Sequence, residues 1–162
     1  MTTFRPGAAF AFSHPAHALA LGFGAGLSPL APGTAGTLLA WAAGWALGAN
    51  LQSPFALAAL AALFALGVWA CGLTGEHLGV HDHGAMVWDE IVAFLLVLAV
   101  VPAELAWQAA AFVLFRGFDI VKPAPIGWLE RRYRGGFGVM LDDLVAAGFT
   151  LLVLALVKRV FF

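Results

Sequence analysis

Asp89 and Glu90 are adjacent acidic residues at the start of a long apolar run, in the stretch HDHGAMVWDE that begins at His81. Carboxylates at membrane depth are costly and usually face a partner or a water-filled cavity. Because hard cations prefer oxygen ligands, the pair suits a Mg²⁺ site, and the alternative is a helix N-terminus stabilised by acids. Asp82 would lie two turns from Asp89 if the segment were helical. His81 and His83 could ligate metal, relay protons or form hydrogen bonds at the interface.

Arg116, Asp119 and Lys122 follow one another at intervals of three within the stretch FRGFDIVKPAP. This spacing places them on one face of a helix. One interpretation is an intrahelical ion pair between Arg116 and Asp119, with a lysine that reaches towards the interface. The other is that Arg116 and Lys122 hold phosphate oxygens, while Asp119 orients one of these cations or binds a metal.

Asp142 and Asp143 follow the glycine-rich stretch GGFGVML, which begins at Gly135. Glycine lets a backbone turn tightly, so we expect a loop that ends where the two aspartates open the last helix. Asp142 could serve only as a helix N-cap. Since a cap requires one such residue, we interpret the adjacent pair as metal ligands.

A fourth stretch, GFGAGLSPLAPGTAGT, runs from Gly22 to Thr37 and precedes the first long apolar segment. Its Ser28 and Thr34 hydroxyls, together with the free amides of a helix N-terminus, could bind phosphate. The stretch is not a P-loop, because no Gly-Lys-Ser/Thr follows the glycines. An equal alternative is that the glycines only allow bending and close packing.

The composition indicates a membrane protein. Apolar residues make up 62% of the 162 residues and charged residues only 10%, whereas soluble domains average roughly 25% charged residues. A net charge of −1 argues against nucleic acid as a partner. The single cysteine, Cys71, falls in an apolar segment with no basic neighbour, so we interpret it as a small buried residue.

Five apolar segments approach the length of about 20 residues that crosses a bilayer. They predict an all-α, polytopic membrane helix bundle that forms a single domain over residues 1–162. The stretch His14–Leu27 is also apolar, but its glycines weaken it as a helix, so we expect an interfacial or re-entrant segment. The five predicted helices are Thr34–Asn50, Pro54–Leu73, Met86–Val101, Glu104–Val121 and Leu141–Val157.

The connections between these segments alternate in character. Asn50–Pro54 and Val101–Glu104 are short and carry no basic residue, whereas Met1–Gly33, Thr74–Ala85 and Lys122–Met140 are long and polar. Five crossings would place the long connections on one side, with six of the eight basic residues, eight of the nine acidic residues and all five histidines. The positive-inside rule makes this side cytoplasmic. The sequence thus predicts one active site at the cytoplasmic face.

The four stretches resemble the signature blocks of the phosphatidylglycerophosphatase A family, in that family's order and spacing, over about Leu19 to Gly148. The resemblance implies a multi-pass enzyme of the bacterial inner membrane. Its substrate would be the lipid phosphatidylglycerophosphate, its products phosphatidylglycerol and inorganic phosphate, and its cofactor Mg²⁺. The positions that match the blocks are Asp82, Asp89, Glu90, Arg116, Asp119, Lys122, Asp142 and Asp143.

The chemistry of phosphate monoester hydrolysis suggests a role for each candidate residue. We expect metal ligands at Asp89, Glu90, Asp142 and Asp143, substrate-binding groups at Arg116, Lys122, Thr34 and Ser28, and catalytic groups at Asp82, His81, His83 and Asp119. An aspartyl-phosphate route is a second possibility. A divalent-cation transporter is the rival function, although the far halves of the helices are almost wholly apolar, and a phosphatase of a related lipid headgroup is a third.

Overall fold

Residues 5–161, which a computed structural model describes, form α-helices joined by turns and two 3₁₀ segments, with no strand among them. The predicted all-α class is therefore confirmed. The α-helices are α1 Ala8–Ala11, α2 Pro15–Ala20, α3 Pro32–Leu47, α4 Pro54–Leu78, α5 Trp88–Val100, α6 Leu105–Val121, α7 Ile126–Arg132 and α8 Gly135–Phe161, and the 3₁₀ segments are Gly22–Leu27 and Gly48–Gln52.

Helix α5 occupies the centre of the bundle. It packs against α3, α4, α6 and α8, and most of its side chains are buried, including Phe94 and Val97. A helix that is apolar on every face is stable only where other elements or lipid surround it. Since Asp89 and Glu90 lie in its first turn, the same packing carries two carboxylates into the interior.

Two helices are long and apolar enough to cross a membrane by length and composition, α4 and α8. The five predicted segments correspond to α3, α4, α5, α6 and α8, but α3, α5 and α6 have only 16, 13 and 17 residues. A crossing takes about 20 residues. The described residues therefore support a helical bundle with two candidate spans, and the number of crossings stays a prediction.

The start of α8 corrects the sequence prediction. This helix begins at Gly135 and not at Leu141, so Asp142 and Asp143 lie about two turns inside it and neither caps its start. The glycines serve close helix packing. A methyl group on Gly136 would overlap the carbonyl oxygen of Val68 in α4, so only glycine lets the two backbones approach this closely.

Other boundaries also differ from the prediction. Helix α4 continues to Leu78 and ends at Gly79, whose φ of +71° is the left-handed conformation that stops many helices. The following segment up to α5 is not helical, so Asp82 and Asp89 are not related by two helical turns. The long connection from Lys122 to Met140 contains α7 and the first turn of α8.

The N-terminal stretch forms short helical pieces, and its interfacial or re-entrant placement stays a prediction. Helix α2 has six residues and packs on α4, and the chain then turns through positive φ angles at Gly22, Phe23 and Gly24. Such angles are easy for glycine but strained for other residues. This turn ends α2 and directs the chain towards α3.

Candidate functional site

Three carboxylates meet inside the bundle. Asp89 and Glu90 extend from α5 and Asp143 from α8, and one oxygen from each lies within 4.8 Å of the others. All three residues are buried, with exposed fractions of 8%, 8% and 2%. The prediction that the HDHGAMVWDE and GGFGVMLDD stretches contribute to one site is consistent with this geometry.

These carboxylates keep oxygen atoms without hydrogen-bond partners. Asp89 Oδ1, Glu90 Oε2 and Asp143 Oδ2 are buried and accept no hydrogen bond from any described residue. Burying charged oxygens without partners costs several kcal/mol per ion. Three oxygen donors at this separation match the preference of Mg²⁺ and Ca²⁺ for oxygen ligands. The donor set therefore fits a divalent cation.

Arg116 of α6 reaches the edge of this cluster. Its Nη1 lies 3.4 Å from Glu90 Oε1 and 2.6 Å from Asp119 Oδ2. The intrahelical pair of Arg116 and Asp119, one of the two interpretations of this stretch, is thus present, and the phosphate-binding role of Arg116 stays a prediction. Arg116 Nε is buried without a hydrogen-bond partner, so the guanidinium keeps a donor for an anion.

Asp142 has a different environment from the three clustered carboxylates. Its Oδ2 accepts a hydrogen bond of 2.6 Å from Lys122 Nζ, and its Oδ1 accepts one of 3.1 Å from the Asp143 amide. Asp142 is therefore occupied by an ion pair, outside the group of three that could hold a metal ion. Its predicted role as a ligand stays a prediction.

The predicted catalytic groups Asp82, His81 and His83 lie in the connection between α4 and α5. Asp82 is exposed. His83 Nδ1 accepts a hydrogen bond of 3.1 Å from the Ala85 amide, so this one ring nitrogen has a structural contact. His81 is exposed and lines a cavity of about 310 Å³ between α4 and α8.

The glycines of the fourth stretch pack against the HDHGAMVWDE stretch. A methyl group on Gly26 would overlap the Ala85 carbonyl oxygen, and one on Gly36 would lie 2.8 Å from Val87 Cβ. The alternative that these glycines allow close packing is thus observed at Gly26 and Gly36. No side-chain hydrogen bond among the described residues joins Ser28 or Thr34 to the acidic cluster, so their substrate-binding role stays a prediction.

Gly33 is a site residue that the sequence reasoning did not single out. A methyl group there would overlap Glu90 Oε1 and lie 2.8 Å from Arg116 Nη2. The first turn of α3 therefore rests directly on the Arg116–Glu90 pair. The sequence feature that points to Gly33 is the Pro-Gly-Thr segment at the start of α3. Pro32 favours the beginning of a helix there, and Gly33 permits the close approach of α3 to the Arg116–Glu90 pair.

A second polar cluster joins the N-terminal stretch to α4. Buried His17 contacts Thr74 Oγ1 through Nδ1 at 2.9 Å and His77 Nδ1 through Nε2 at 3.0 Å. Burial lowers the pKa of His17, and the neighbouring charges of His77 and His14 lower it further. The sequence predicts these histidines on one side of the membrane, which stays a prediction, but it does not indicate that His17 and His77 meet.

This arrangement fits the class of sites that bind a metal ion and a phosphate group inside an apolar helical bundle. The family model described as phosphatidylglycerophosphatase A matches residues 18–158. Because the match covers most of the chain, the protein belongs to the phosphatidylglycerophosphatase A family. Its membership confirms the predicted family and the predicted phosphatase class, and together with the two candidate spans it indicates a membrane protein.

Individual relatives agree with this assignment. A phosphatidylglycerophosphatase A of Haemophilus influenzae is 44% identical over 155 residues, 94% of each chain. One of Escherichia coli is 45% identical over 137 residues, 83% of this chain and 78% of the relative. A putative phosphatidylinositol-3-phosphatase of Bacteroides thetaiotaomicron is 40% identical over 146 residues, 86% of this chain and 91% of the relative. No solved structure matches the chain significantly.

Proposed function

We propose that the protein hydrolyses phosphatidylglycerophosphate to phosphatidylglycerol and inorganic phosphate, with Mg²⁺ as cofactor. The observation that carries the proposal is the buried group Asp89, Glu90 and Asp143 with its unpartnered oxygens, in a chain of this family. The names of the Haemophilus and Escherichia relatives support the lipid substrate. The oxygen-only donor set supports Mg²⁺ over softer metals.

Asp89, Glu90 and Asp143 would hold the cation. When bound there, Mg²⁺ supplies positive charge that offsets the phosphate oxygens and favours a reactive water. The three carboxylates fix that charge in a region from which the surrounding α3, α5, α6 and α8 exclude bulk water. Electrostatic interactions are stronger in such a region than in water.

Arg116 and Lys122 would bind the phosphate oxygens that do not face the cation. Asp119 and Glu90 both contact Nη1 of Arg116 and hold it in place, and Asp142 holds Lys122. Each cation is thereby oriented before substrate arrives, and such preorganisation is the main source of catalysis in phosphoryl transfer. Thr34 would add a hydroxyl donor from the first turn of α3, and Ser28 one from the turn that follows the first 3₁₀ segment.

Asp82 would act as the general base, with His81 or His83 as its aid. The water oxygen forms a bond to phosphorus while the bond from phosphorus to the glycerol oxygen breaks. Asp82 takes a proton from the water, and the protonated carboxyl, aided by His81 or His83, gives a proton to the departing glycerol oxygen. The exposed position of Asp82, in the connection that leads into α5 and its Asp89–Glu90 pair, supports a role at the edge of the site. The aspartyl-phosphate route is the second possibility.

The location that we propose is the bacterial inner membrane, with five crossings and the site facing the cytoplasm. The one-sided distribution of basic residues supports this orientation. Arg116 and Lys122 lie near the end of α6, and Arg131 and Arg132 lie in the last turn of α7, within the stretch that the predicted topology assigns to one side. The bilayer would supply the substrate directly.

A phosphatase of another lipid headgroup is the second candidate. The observation in its favour is the Bacteroides relative, whose name specifies a phosphoinositide 3-phosphate. The cation and phosphate contacts described above would serve either headgroup. Membership of a phosphatase family argues against the divalent-cation transporter.

The direct experiment is phosphate release by the purified protein in lipid vesicles, with Mg²⁺ and then with EDTA. We expect release from phosphatidylglycerophosphate that EDTA abolishes and that Asp89→Asn reduces below detection. Faster release from phosphatidylinositol 3-phosphate would favour the second candidate. Divalent-cation flux without phosphate release, from a folded sample, would refute the phosphatase proposal and favour a transporter.

A further inference from the structure

An apolar groove runs along the surface between α4, α5 and α8. It encloses about 310 Å³, and its walls carry aliphatic and aromatic side chains. Leu57, on α4, is 55% exposed at one edge, so the groove opens outward along a helix that is itself a candidate membrane span. The residues used below are Leu57, Ala61, Phe64, Val92, Leu96 and Leu144.

The walls of this groove continue from the acidic cluster. Asp89, Val92 and Leu96 are three and seven residues apart in α5 and therefore lie on one face of that helix. Leu144 directly follows Asp143 in α8. At a rise of about 1.5 Å per residue, Leu96 lies roughly 10 Å along the helix axis from Asp89.

The α4 wall follows the same direction. Trp88 Nε1 donates a hydrogen bond of 3.1 Å to the Leu63 carbonyl oxygen, which places this part of α4 level with the start of α5. Phe64 is therefore near the level of the carboxylates, and Leu57 lies about 10 Å from it along the helix. The groove begins beside the site and extends away from it, along α4 and α5.

We propose that this groove holds an acyl chain of the lipid substrate while its phosphate lies at the acidic cluster. This inference rests on the proposed lipid phosphatase function. A lipid phosphate has a charged group attached to a long apolar chain. The protein has a charged site that continues into an apolar groove, which matches that arrangement. A chain that leaves the bilayer for this groove exchanges one apolar environment for another, so the groove contributes orientation more than affinity.

The test fills the groove without disturbing buried residues. Ala61 is exposed on the groove wall, so Ala61→Phe adds a ring in the open space. The matched control is Ala42→Phe, an exposed alanine in a separate apolar groove lined by Trp41, Trp45 and Leu105. Both variants add the same ring to an apolar helix surface, but only one alters the groove that continues from the acidic cluster.

Phosphate release is measured in vesicles with phosphatidylglycerophosphate carrying either long or short acyl chains. We expect Ala61→Phe to lower kcat/KM for the long-chain lipid by about tenfold, since misplaced reacting groups lose rate steeply. The short-chain lipid should lose much less, and Ala42→Phe should match the wild type with both. Equal kcat/KM of Ala61→Phe and wild type on both lipids, or an equal loss on both, would overturn the inference.

A second measurement does not depend on turnover. Phosphatidylglycerophosphate with a photoactivatable group on its chain should cross-link to α4 or α5 of the wild type and much less to Ala61→Phe. Equal cross-linking by phosphatidylcholine with the same chain would show a site for bulk lipid. A protein–protein cross-link through Ala61→Cys would show a contact between copies. Either outcome would refute the acyl-chain assignment, whereas wild type that cross-links but releases no phosphate would refute only the proposed reaction.

Discussion

Replacing Gly33 by alanine should disable the site while leaving the fold largely intact. The added methyl group would overlap Glu90 Oε1 and would lie 2.8 Å and 3.0 Å from Arg116 Nη2 and Nη1. Ordinary carbon–oxygen or carbon–nitrogen contacts are at about 3.4 Å. Arg116 must therefore withdraw by roughly 0.6 Å and Glu90 by more, and both shifts occur at the proposed metal and phosphate contacts.

A displacement of about 1 Å at reacting groups can lower a rate by ~100-fold. We therefore expect kcat for phosphate release to fall by one to two orders of magnitude, about 10- to 100-fold. Overpacking of this kind destabilises a protein by about 1–3 kcal/mol. The thermal unfolding midpoint in detergent should consequently fall only moderately, which separates loss of the site from loss of the fold.

The matched control is Gly148→Ala in α8. Gly148 is also a helical glycine, but a methyl group there would meet nothing within 4 Å. Alanine is the better helix former by about 1 kcal/mol, so this variant should be as stable as the wild type or more so. Wild-type turnover in Gly33→Ala, measured on folded protein beside this control, would refute the close packing of α3 on the Arg116–Glu90 pair.

Three further predictions follow from the ion pairs and the histidine cluster. Asp143→Asn should raise the Mg²⁺ concentration for half-maximal phosphate release by at least ~10-fold. Asp142→Asn should raise this concentration less, because Asp142 pairs with Lys122. A larger effect of Asp142→Asn than of Asp143→Asn would contradict the assignment of the cluster. Lys122→Met should lower the free energy of unfolding by about 1–3 kcal/mol, because it leaves the buried Asp142 carboxylate without its ion-pair partner. An unfolding free energy equal to that of the wild type, measured by chemical denaturation, would show that the Lys122–Asp142 pair does not stabilise the fold. His17 should contribute a loss of stability as the pH falls below 6.5, the ordinary pKa of histidine, because the folded state resists protonation of His17 while the unfolded state does not. That contribution should end below the lowered pKa of the folded state, so the unfolding midpoint of the wild type should fall relative to that of His17→Gln between those two pKa values.

Part of the site could be predicted from residue types and spacing. The paired acids in apolar surroundings indicate metal ligands at Asp89, Glu90, Asp142 and Asp143, and this role stays a prediction. The intervals of three in FRGFDIVKPAP place Arg116 and Asp119 on one helix face, and the ion pair that was one of two interpretations is observed. This pair depends on local geometry, which the sequence encodes directly.

Glycine-rich stretches were harder to interpret from the sequence. Gly135 and Gly136 were predicted to form a loop, but they begin α8, because the absence of a side chain lets α8 approach α4 at Val68. Glycine permits both a turn and a close helix contact, and the sequence contains no local signal that distinguishes them. The contact depends on a partner helix more than 60 residues away in the chain.

The sequence by itself determined the helical class, the family and the set of groups that could bind a metal and a phosphate. Only the tertiary structure decided that Asp143 joins Asp89 and Glu90 while Asp142 turns to Lys122. Adjacent residues of a helix point about 100° apart, so the rotation of α8 against α5 selects which of the two faces the cluster. That rotation is set by packing among helices that are distant in sequence, which spacing along one segment does not specify.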